Sequence, residues 1–340
     1  MTIEEVAKKA GVSTATVSRA LRGLPNVAPS TRERILQVAV ELHYEINPYI
    51  SRKASGRSII GLILPIADQW FFSKLAATAE MQLITQNLDV VRYNIDSLEN
   101  LSGLVARICS NRLVDGLILS SVTLSSLDIH KLKSAHIPVV TIDTRVPEFP
   151  SVVVDNFSAA VLATRHLINL GHSNIGFISG VKEDPLKFSA PRDRKRGYLQ
   201  ALADNGIPQR PEYIRYGNFA YEGGAEAMKS LFSIYQPPSA VFVISDEMAM
   251  GALKTLRNMN LRVPEDVSII GFDDNDIAEF IELTTVKQPI AEFAERAANL
   301  IAAQLNDTGE YNIVHQTLPV ELIVRSTTGP PLVKNFNTAS

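Results

Sequence analysis

Apolar positions change their rhythm once along this chain. Over the first fifty residues they recur at helical spacing; from residue 59 they gather into short β-branched runs separated by helical stretches. In the opening part, Ile3, Val6, Ala7 and Ala10 fall on one helix face. Thr2-Ile3-Glu4-Glu5 sets a hydroxyl at the cap and a carboxylate three residues on, the form of a capping box. Ala10-Gly11-Val12 interrupts the pattern, and Gly11 gives the backbone the freedom of a tight turn. Ser13 is placed to cap a second helix, Thr14 to Leu21, with Val17, Ala20 and Leu21 inward. Ser30-Thr31-Arg32-Glu33 has capping-box form again and predicts a third helix burying Ile35, Leu36, Val38, Ala39 and Leu42.

The later pattern predicts strands over Ile59–Pro65, Leu88–Tyr93, Gly116–Ser120, Val139–Asp143 and Val152–Asp155. A second series covers Ile175–Gly180, Ile214–Gly217, Ala240–Ser245, Val267–Phe272 and Leu318–Val324. The runs are nearly continuous, as for strands buried on both faces of a parallel sheet. Ser158–Leu170 and Met248–Met259 have helical periodicity. Alternating β and α predicts a doubly wound α/β architecture, and two series imply two similar lobes. Ligands of such sheets bind beyond the carboxyl ends of the strands. That rule selects Asp143, Asp246, Asp273 and Asp274, with Gln69 to Phe72, Arg192 to Arg194 and Phe219 in nearby loops.

Length and composition narrow the class. A chain of 340 residues has room for two or three domains and a sizeable core. Its one cysteine, Cys109, cannot form an internal disulfide, which fits a reducing compartment. No apolar run approaches the ~18 residues of a membrane span, and the first residues do not read as a secretory signal. A cytoplasmic protein is expected. Residues 1–57 hold nine basic and five acidic side chains, a charge of +4; the total of −3 leaves −7 on the remainder. A basic head on an acidic body suits a polyanion, although a solvated helical surface has the same charge. Enzyme signatures are weak. The sequence lacks a phosphate-binding G-x-x-x-x-G-K-[ST], a G-x-G-x-x-G after a strand, H-E-x-x-H and any Cys/His metal spacing. Neither a metal nor a cofactor is expected. His172 reads as a helix C-terminal residue that complements the dipole.

Two short helices about a glycine turn, followed by a packing helix, have the form of a helix-turn-helix, although a plain three-helix bundle fits the spacing too. In the DNA reading the second helix enters the major groove, presenting Thr14, Ala15, Ser18 and Arg19. Arginine can donate two hydrogen bonds to a guanine edge, and Thr or Ala can touch a thymine methyl. Ser13, Thr16 and Asn26 fit phosphate contacts.

The run Thr2-Ile3-Glu4-Glu5-Val6-Ala7, then Ala10-Gly11-Val12-Ser13-Thr14-Ala15-Thr16-Val17-Ser18-Arg19-Ala20-Leu21, resembles the DNA-binding head of the lactose/galactose repressor family. The resemblance continues through Thr31 to Ile35, Tyr44, Asn47-Pro48 and Ser55 to Ser58, and covers the body to about residue 328. It implies a homodimeric, ligand-controlled transcription factor acting on an inverted-repeat operator. It implies a helix-turn-helix domain over 1–46, a hinge over 47–57, a periplasmic-binding-protein-like body over 58–328 and a tail over 329–340. Lobe one would take 58–156 and 290–318, and lobe two 157–289 and 319–328. Tyr44 and Asn47 join the expected DNA contacts.

The hinge departs from the family. Where relatives carry a leucine that wedges into the minor groove, this chain has Lys53. A wedge replaces base stacking with apolar contact, whereas an ammonium turns to water or phosphate. Lys53 and Arg52 are therefore expected to grip minor-groove edges or phosphates, with less bending of the DNA.

The resemblance assigns effector binding to Phe71, Asp143, Arg194, Phe219, Ser245 and Asp273, and the strand-end rule adds Trp70 and Asp246. The expected activity is repression of carbohydrate-use genes, released by a sugar. Alternatives are a corepressor-dependent repressor responding to a purine or sugar phosphate, a cytoplasmic sugar-binding protein, and a sugar-metabolising enzyme. Lys187 and Arg192, if they faced the cleft, would favour the phosphate.

Overall fold

A computed structural model describes residues 2–21, 26–42, 44, 57–65, 69–306 and 312–332. The head consists of α1 (Ile3–Ala10), α2 (Thr14–Leu21) and α3 (Pro29–Glu41) around a core that includes Val6, Val17, Ala20, Leu21, Ile35 and Ala39. The first capping box closes in both directions: Thr2 N–H donates to Glu5 Oε2 at 2.8 Å, and Glu5 N–H to Thr2 Oγ1 at 3.4 Å. Gly11 takes φ 65°, satisfying the end of α1. Thr16 N–H donates to Ser13 Oγ at 3.1 Å, so Ser13 does cap α2. The second capping box does not form. The third helix opens two residues earlier, on Pro29, with Ala28 in place of Ser30 as an apolar cap; proline suits a helix's first turn because its missing N–H has no partner there. Leu36 and Leu42 are only partly buried against the core.

The body is two doubly wound α/β lobes. The first sheet uses β1 (Ile59–Pro65), β2 (Asp89–Ile95), β3 (Gly116–Ser120), β4 (Val139–Ile142), β5 (Ser151–Val154) and β11 (His315–Leu318), in the order β11-β5-β4-β3-β1-β2, all parallel. Helices α4 (Trp70–Thr85) and α11 (Ile290–Asn306) pack on one face through Leu75, Ala79, Phe293 and Ile301. Helices α5 (Leu98–Asn111) and α6 (Ser126–Ser134) cover the other through Leu101, Val105, Ile108 and Leu132.

The second sheet uses β6 (Ile175–Ser179), β7 (Ile214–Tyr216), β8 (Ala240–Val243), β9 (Ser268–Asp273), β10 (Thr284–Lys287) and β12 (Glu321–Ile323), in the order β12-β10-β9-β8-β6-β7. It is parallel apart from the β10–β12 pair. Around it lie α7 (Asn156–Asn169), α8 (Ser189–Asp204), α9 (Tyr221–Phe232) and α10 (Asp246–Asn258). Strand β10 escapes the apolar reading because Thr284, Thr285 and Lys287 break its run. The single strand expected over Leu318–Val324 is two: β11 ends in one sheet and β12 begins in the other, with the chain crossing between lobes at residues 319–320. It crosses twice more, between β5 and α7 and between β10 and α11.

His172 is not a dipole partner at an open helix end. It is buried, with Nδ1 2.9 Å from Ser239 Oγ and Nε2 2.9 Å from the Gly329 carbonyl. Burial lowers its pKa, so the neutral ring ties the segment after β12 to lobe two.

Candidate functional site

In the head, Thr14, Ala15 and Arg19 are exposed on α2, and Ser18 is half-buried. These are the side chains that α2 can offer to base edges. Ser13 and Thr16 share a 2.8 Å hydroxyl contact as well as the cap, so their oxygens serve the helix first. Asn26 is exposed with φ 69°. Tyr44 is half-buried against the head core, its N–H donating to the Ala39 carbonyl at 2.9 Å. Asn47 and Lys53 lie outside the described residues.

Between the lobes is a cavity of about 570 Å³, counting its open mouth. Phe71, Ser121 and Asp143 of lobe one and Arg194, Phe219, Ser245 and Asp273 of lobe two all line it, as does Gln288 from the second crossing. The polar groups form one connected array. Arg194, on α8, donates from Nε to Asn156 Oδ1 at 2.8 Å and from Nη1 to the Ile244 carbonyl at 2.7 Å. Its guanidinium lies 3.5 Å from the centre of the Phe272 ring, a cation–π contact. Asn156 turns its amide nitrogen to Asp143 Oδ1 at 3.2 Å, and Ser121 donates to Asp143 Oδ2 at 2.8 Å. Asn156, the first residue of α7 at a crossing, thereby joins Asp143 of lobe one to Arg194 of lobe two. Gln288 Nε2 donates to Asp273 Oδ1 at 2.7 Å.

The backbone aims these groups at some cost. Asp143 and Phe219 have φ 57° and 55°, and Asp273 has φ 120°; such conformations are costly for side-chain-bearing residues and concentrate at functional sites. Gly180 leaves room for the Phe219 ring, which a Cβ there would strike. The rings of Phe71, Phe72, Phe188 and Phe219 follow one another, with centroids 5.2, 6.2 and 6.4 Å apart.

Electrostatics reflect three buried acids beside one base. Burial raises the Asp143 pKa against the opposing pull of Arg194. Burial pushes Asp273 up to about 7, again opposed by Arg194. Burial lowers Arg194, while Asp273, Asp143 and Asp246 hold it up. Removed from water, each ion depends on the others.

Two expected site residues have other work. Asp246 does not line the cavity. It is fully buried, accepting from Asn275 N–H at 2.9 Å and from Thr285 Oγ1 at 2.7 Å, which anchors the turn after β9. Burial, then Asp273, raises its pKa well above the carboxylate range. Trp70 stands at the rim. Its backbone N–H meets Glu247 Oε1 at 3.3 Å and its indole N–H meets Asp276 Oδ2 at 3.2 Å, both across the lobes; Lys74 Nζ adds a 3.0 Å contact to Asp276. Ser245 lines the cavity and also caps α10, accepting from Met248 N–H at 3.3 Å. Lys187 and Arg192 are exposed and do not line the cavity. The sequence reading missed Asn156, Ser121, Glu247 and Gln288, whereas Phe72 was among the loop positions it selected and Phe188 closes a segment, Asp184 to Phe188, expected at the rim. Asn156 and Glu247 each follow a strand-end acid directly, which was an available signal; Gln288 follows the strand that was itself overlooked.

A helix-turn-helix head joined to a hinged two-lobed receptor defines a class of protein: a DNA-binding transcriptional regulator that responds to a small molecule. Residues 2–47 match the family described as bacterial regulatory proteins, lacI family, and residues 164–328 match the periplasmic binding protein-like domain. The chain is 33% identical over 334 residues to catabolite control protein A of Priestia megaterium, covering 96% of this chain and 99% of that one. It is 35% identical over 336 residues to the HTH-type transcriptional repressor CytR of Escherichia coli (strain K12), covering 96% of each. A solved structure of the transcriptional regulator CelR–cellobiose complex matches with a TM-score of 0.69 and 30% identity, over 96% of this chain and 99% of that one. The chain belongs to the lacI family of bacterial regulatory proteins, whose members are transcriptional regulators and not enzymes. Among the described residues no helix is long and apolar enough to cross a membrane, and no cluster of side chains could hold a metal ion.

Proposed function

We propose that this protein is a homodimeric repressor of carbohydrate-use genes, released from an inverted-repeat operator when a sugar closes the cleft. The observation that carries the reading is the Asp143–Asn156–Arg194 chain across the lobes, with Asp273 and four phenylalanine rings around the same cavity. Carboxylates accept from ring hydroxyls, arginine donates to ring oxygens, and aromatic faces cover C–H surfaces. Cellobiose in CelR is consistent with such a ligand.

A ligand touching both Asp143 and Asp273 draws the lobes together. In a dimer that motion displaces the first lobes, parts the two hinges and loosens the heads on DNA. Exposed Met81 and Ile84 on α4, and Ile277 and Phe280 after β9, support the pairing of two copies. Arg19, Thr14, Ala15 and Ser18 read base edges; Ser13, Thr16, Asn26, Tyr44, Asn47 and Lys53 set register on the backbone and minor groove. The protein works in the cytoplasm, on the nucleoid when bound.

Coupling of about 1–3 kcal/mol is expected, and operator DNA must weaken sugar binding by the same factor. The test is a sugar titration of the full chain with and without operator. Equal sugar affinity in both refutes allosteric release; tighter DNA binding with sugar reverses the sign and makes the ligand a corepressor. Removing residues 1–57 should abolish operator binding and spare sugar-induced thermal stabilisation.

A further inference from the structure

The lining of the cavity discriminates by charge. Among the described residues its carboxylates are Asp143, Asp273 and, at the mouth, Glu247, and its one cation is Arg194. Two of the Arg194 N–H directions are already spent on Asn156 and on the Ile244 carbonyl, and its face lies on Phe272. An incoming anion therefore meets a guanidinium directed largely at its own fold.

Anion sites often use helix N-termini, and α4, α8 and α10 all begin at this cavity; the first N–H of α4, that of Trp70, is directed at the Glu247 carboxylate at 3.3 Å. The α10 end carries Asp246 and Glu247 in its first turn, and Ser245 occupies its Met248 N–H. The α8 end has no side-chain cap, but Pro191 removes one of its first N–H groups, leaving those of Ser189 and Ala190. Two amides suit a hydroxyl or ring oxygen; they do not offset Glu247 and Asp143 together with an Asp273 that is about half ionised near pH 7. Lys187 and Arg192, the cations that would welcome a phosphate, stand outside.

One further atom points to the ligand. Gln288 is 5% exposed, and its Oε1 has no hydrogen-bond partner although its Nε2 is committed to Asp273. A buried acceptor left unpaired is costly, so this oxygen awaits a donor. A sugar hydroxyl can donate; a phosphate dianion cannot. Gln288 also sits in the crossing between β10 and α11, where a bond to the ligand bears directly on the hinge.

Resting on the sugar reading above, we propose that the effector is an uncharged ring sugar that donates a hydroxyl to Gln288 Oε1, and that its phosphate esters are rejected by Asp143, Asp273 and Glu247. The full chain is titrated, by calorimetry and thermal shift, with ribose, xylose, arabinose, glucose, galactose, fructose and cellobiose, with the available phosphate esters of the same sugars, and with adenine and guanine. At least one neutral sugar should bind, with its ester weaker by about 100-fold or more. Glu247→Gln should narrow that ratio by about tenfold, and Gln288→Met should weaken the neutral sugar by about tenfold while the protein still melts cooperatively. An ester binding as tightly as its parent overturns the exclusion and leaves the sugar reading standing. A neutral sugar held equally well by Gln288→Met overturns the assignment of Gln288. Purine binding with no sugar response, or no response to any compound at 50 mM, overturns the sugar reading and this inference together.

Discussion

Asp273→Asn isolates the cost of keeping a carboxylate in the empty cleft. The substitution is nearly isosteric and keeps the Oδ1 acceptor that Gln288 Nε2 uses at 2.7 Å. What it removes is a titration. Burial raises the Asp273 pKa from 3.8 to about 7, even with Arg194 pulling it down. In the unfolded chain the group ionises near its ordinary value. Between about pH 4 and pH 7 the folded protein therefore holds a proton that the unfolded chain has released, and this residue's contribution to stability falls as pH rises. Three pH units correspond to about 4 kcal/mol. Opening of the lobes admits water to the carboxylate, so about 2–4 kcal/mol is expected. The ligand-free variant should match the wild type near pH 4.5 and exceed it at pH 8, by about 5–10 °C in Tm at about 2–4 °C per kcal/mol. Melts of both full chains at pH 4.5, 6, 7 and 8 test this. Asp143 and Asp246 titrate in both chains and largely drop out of the difference. A gap that does not change with pH, or a variant less stable at pH 8, refutes the reasoning. The same variant should lose its response to effector, since the strain it relieves is what the ligand uses.

Further outcomes follow from other contacts. Arg194→Ala leaves Asp143 and Asp273 without their cation and should destabilise the body by about 3–5 kcal/mol, more at pH 8 than at pH 5, by urea unfolding. Operator binding by that variant at 10 °C should persist while the sugar response disappears. Gly197→Ala should cost about 1–3 kcal/mol in the same assay, because a Cβ there runs into the Phe157 carbonyl oxygen where α7 and α8 meet. Asp276→Ala removes two contacts across the rim, to Trp70 and Lys74; exposed pairs are worth about 0–1 kcal/mol, so ligand affinity should fall by about threefold and small-angle scattering should show a more open ligand-free body. Lys53→Leu should lower the magnitude of the log–log salt slope of operator binding by about 0.9 and increase the DNA bend; unchanged slope and bend remove the phosphate role of Lys53.

The alternation of apolar runs and helical stretches was enough to reveal the doubly wound body, because strands covered on both faces need continuous apolar residues. Where a strand is built from threonines, as β10 is, that signal vanishes although Thr284 and Thr285 are fully buried, since hydrogen bonding rather than hydrophobicity makes burial tolerable there. The strand-end rule brought Asp143 and Asp273 to one cavity. It also selected Asp246, whose position after β8 is equivalent but whose carboxylate is consumed by Asn275 and Thr285. Sequence position identifies which acids reach the cleft side of a sheet; it does not reveal which of them the fold itself engages. Gln288 was invisible because its significance lies in one unpaired oxygen, a property of three-dimensional surroundings.

The threefold passage of the chain between lobes bears on how the protein is made. One edge strand of each sheet comes from the last part of the chain: β11 pairs with β5, 164 residues upstream, and β12 with β10, 34 to 38 residues upstream. A ribosome delivering this polypeptide completes the DNA reader first and the sensor last. Neither half of the sensor can acquire its full set of hydrogen bonds until residues 315–323 emerge. Nascent chains interrupted before that point would carry a finished reader without a working receiver, and premature termination there should yield molecules deaf to the signal rather than merely shorter ones.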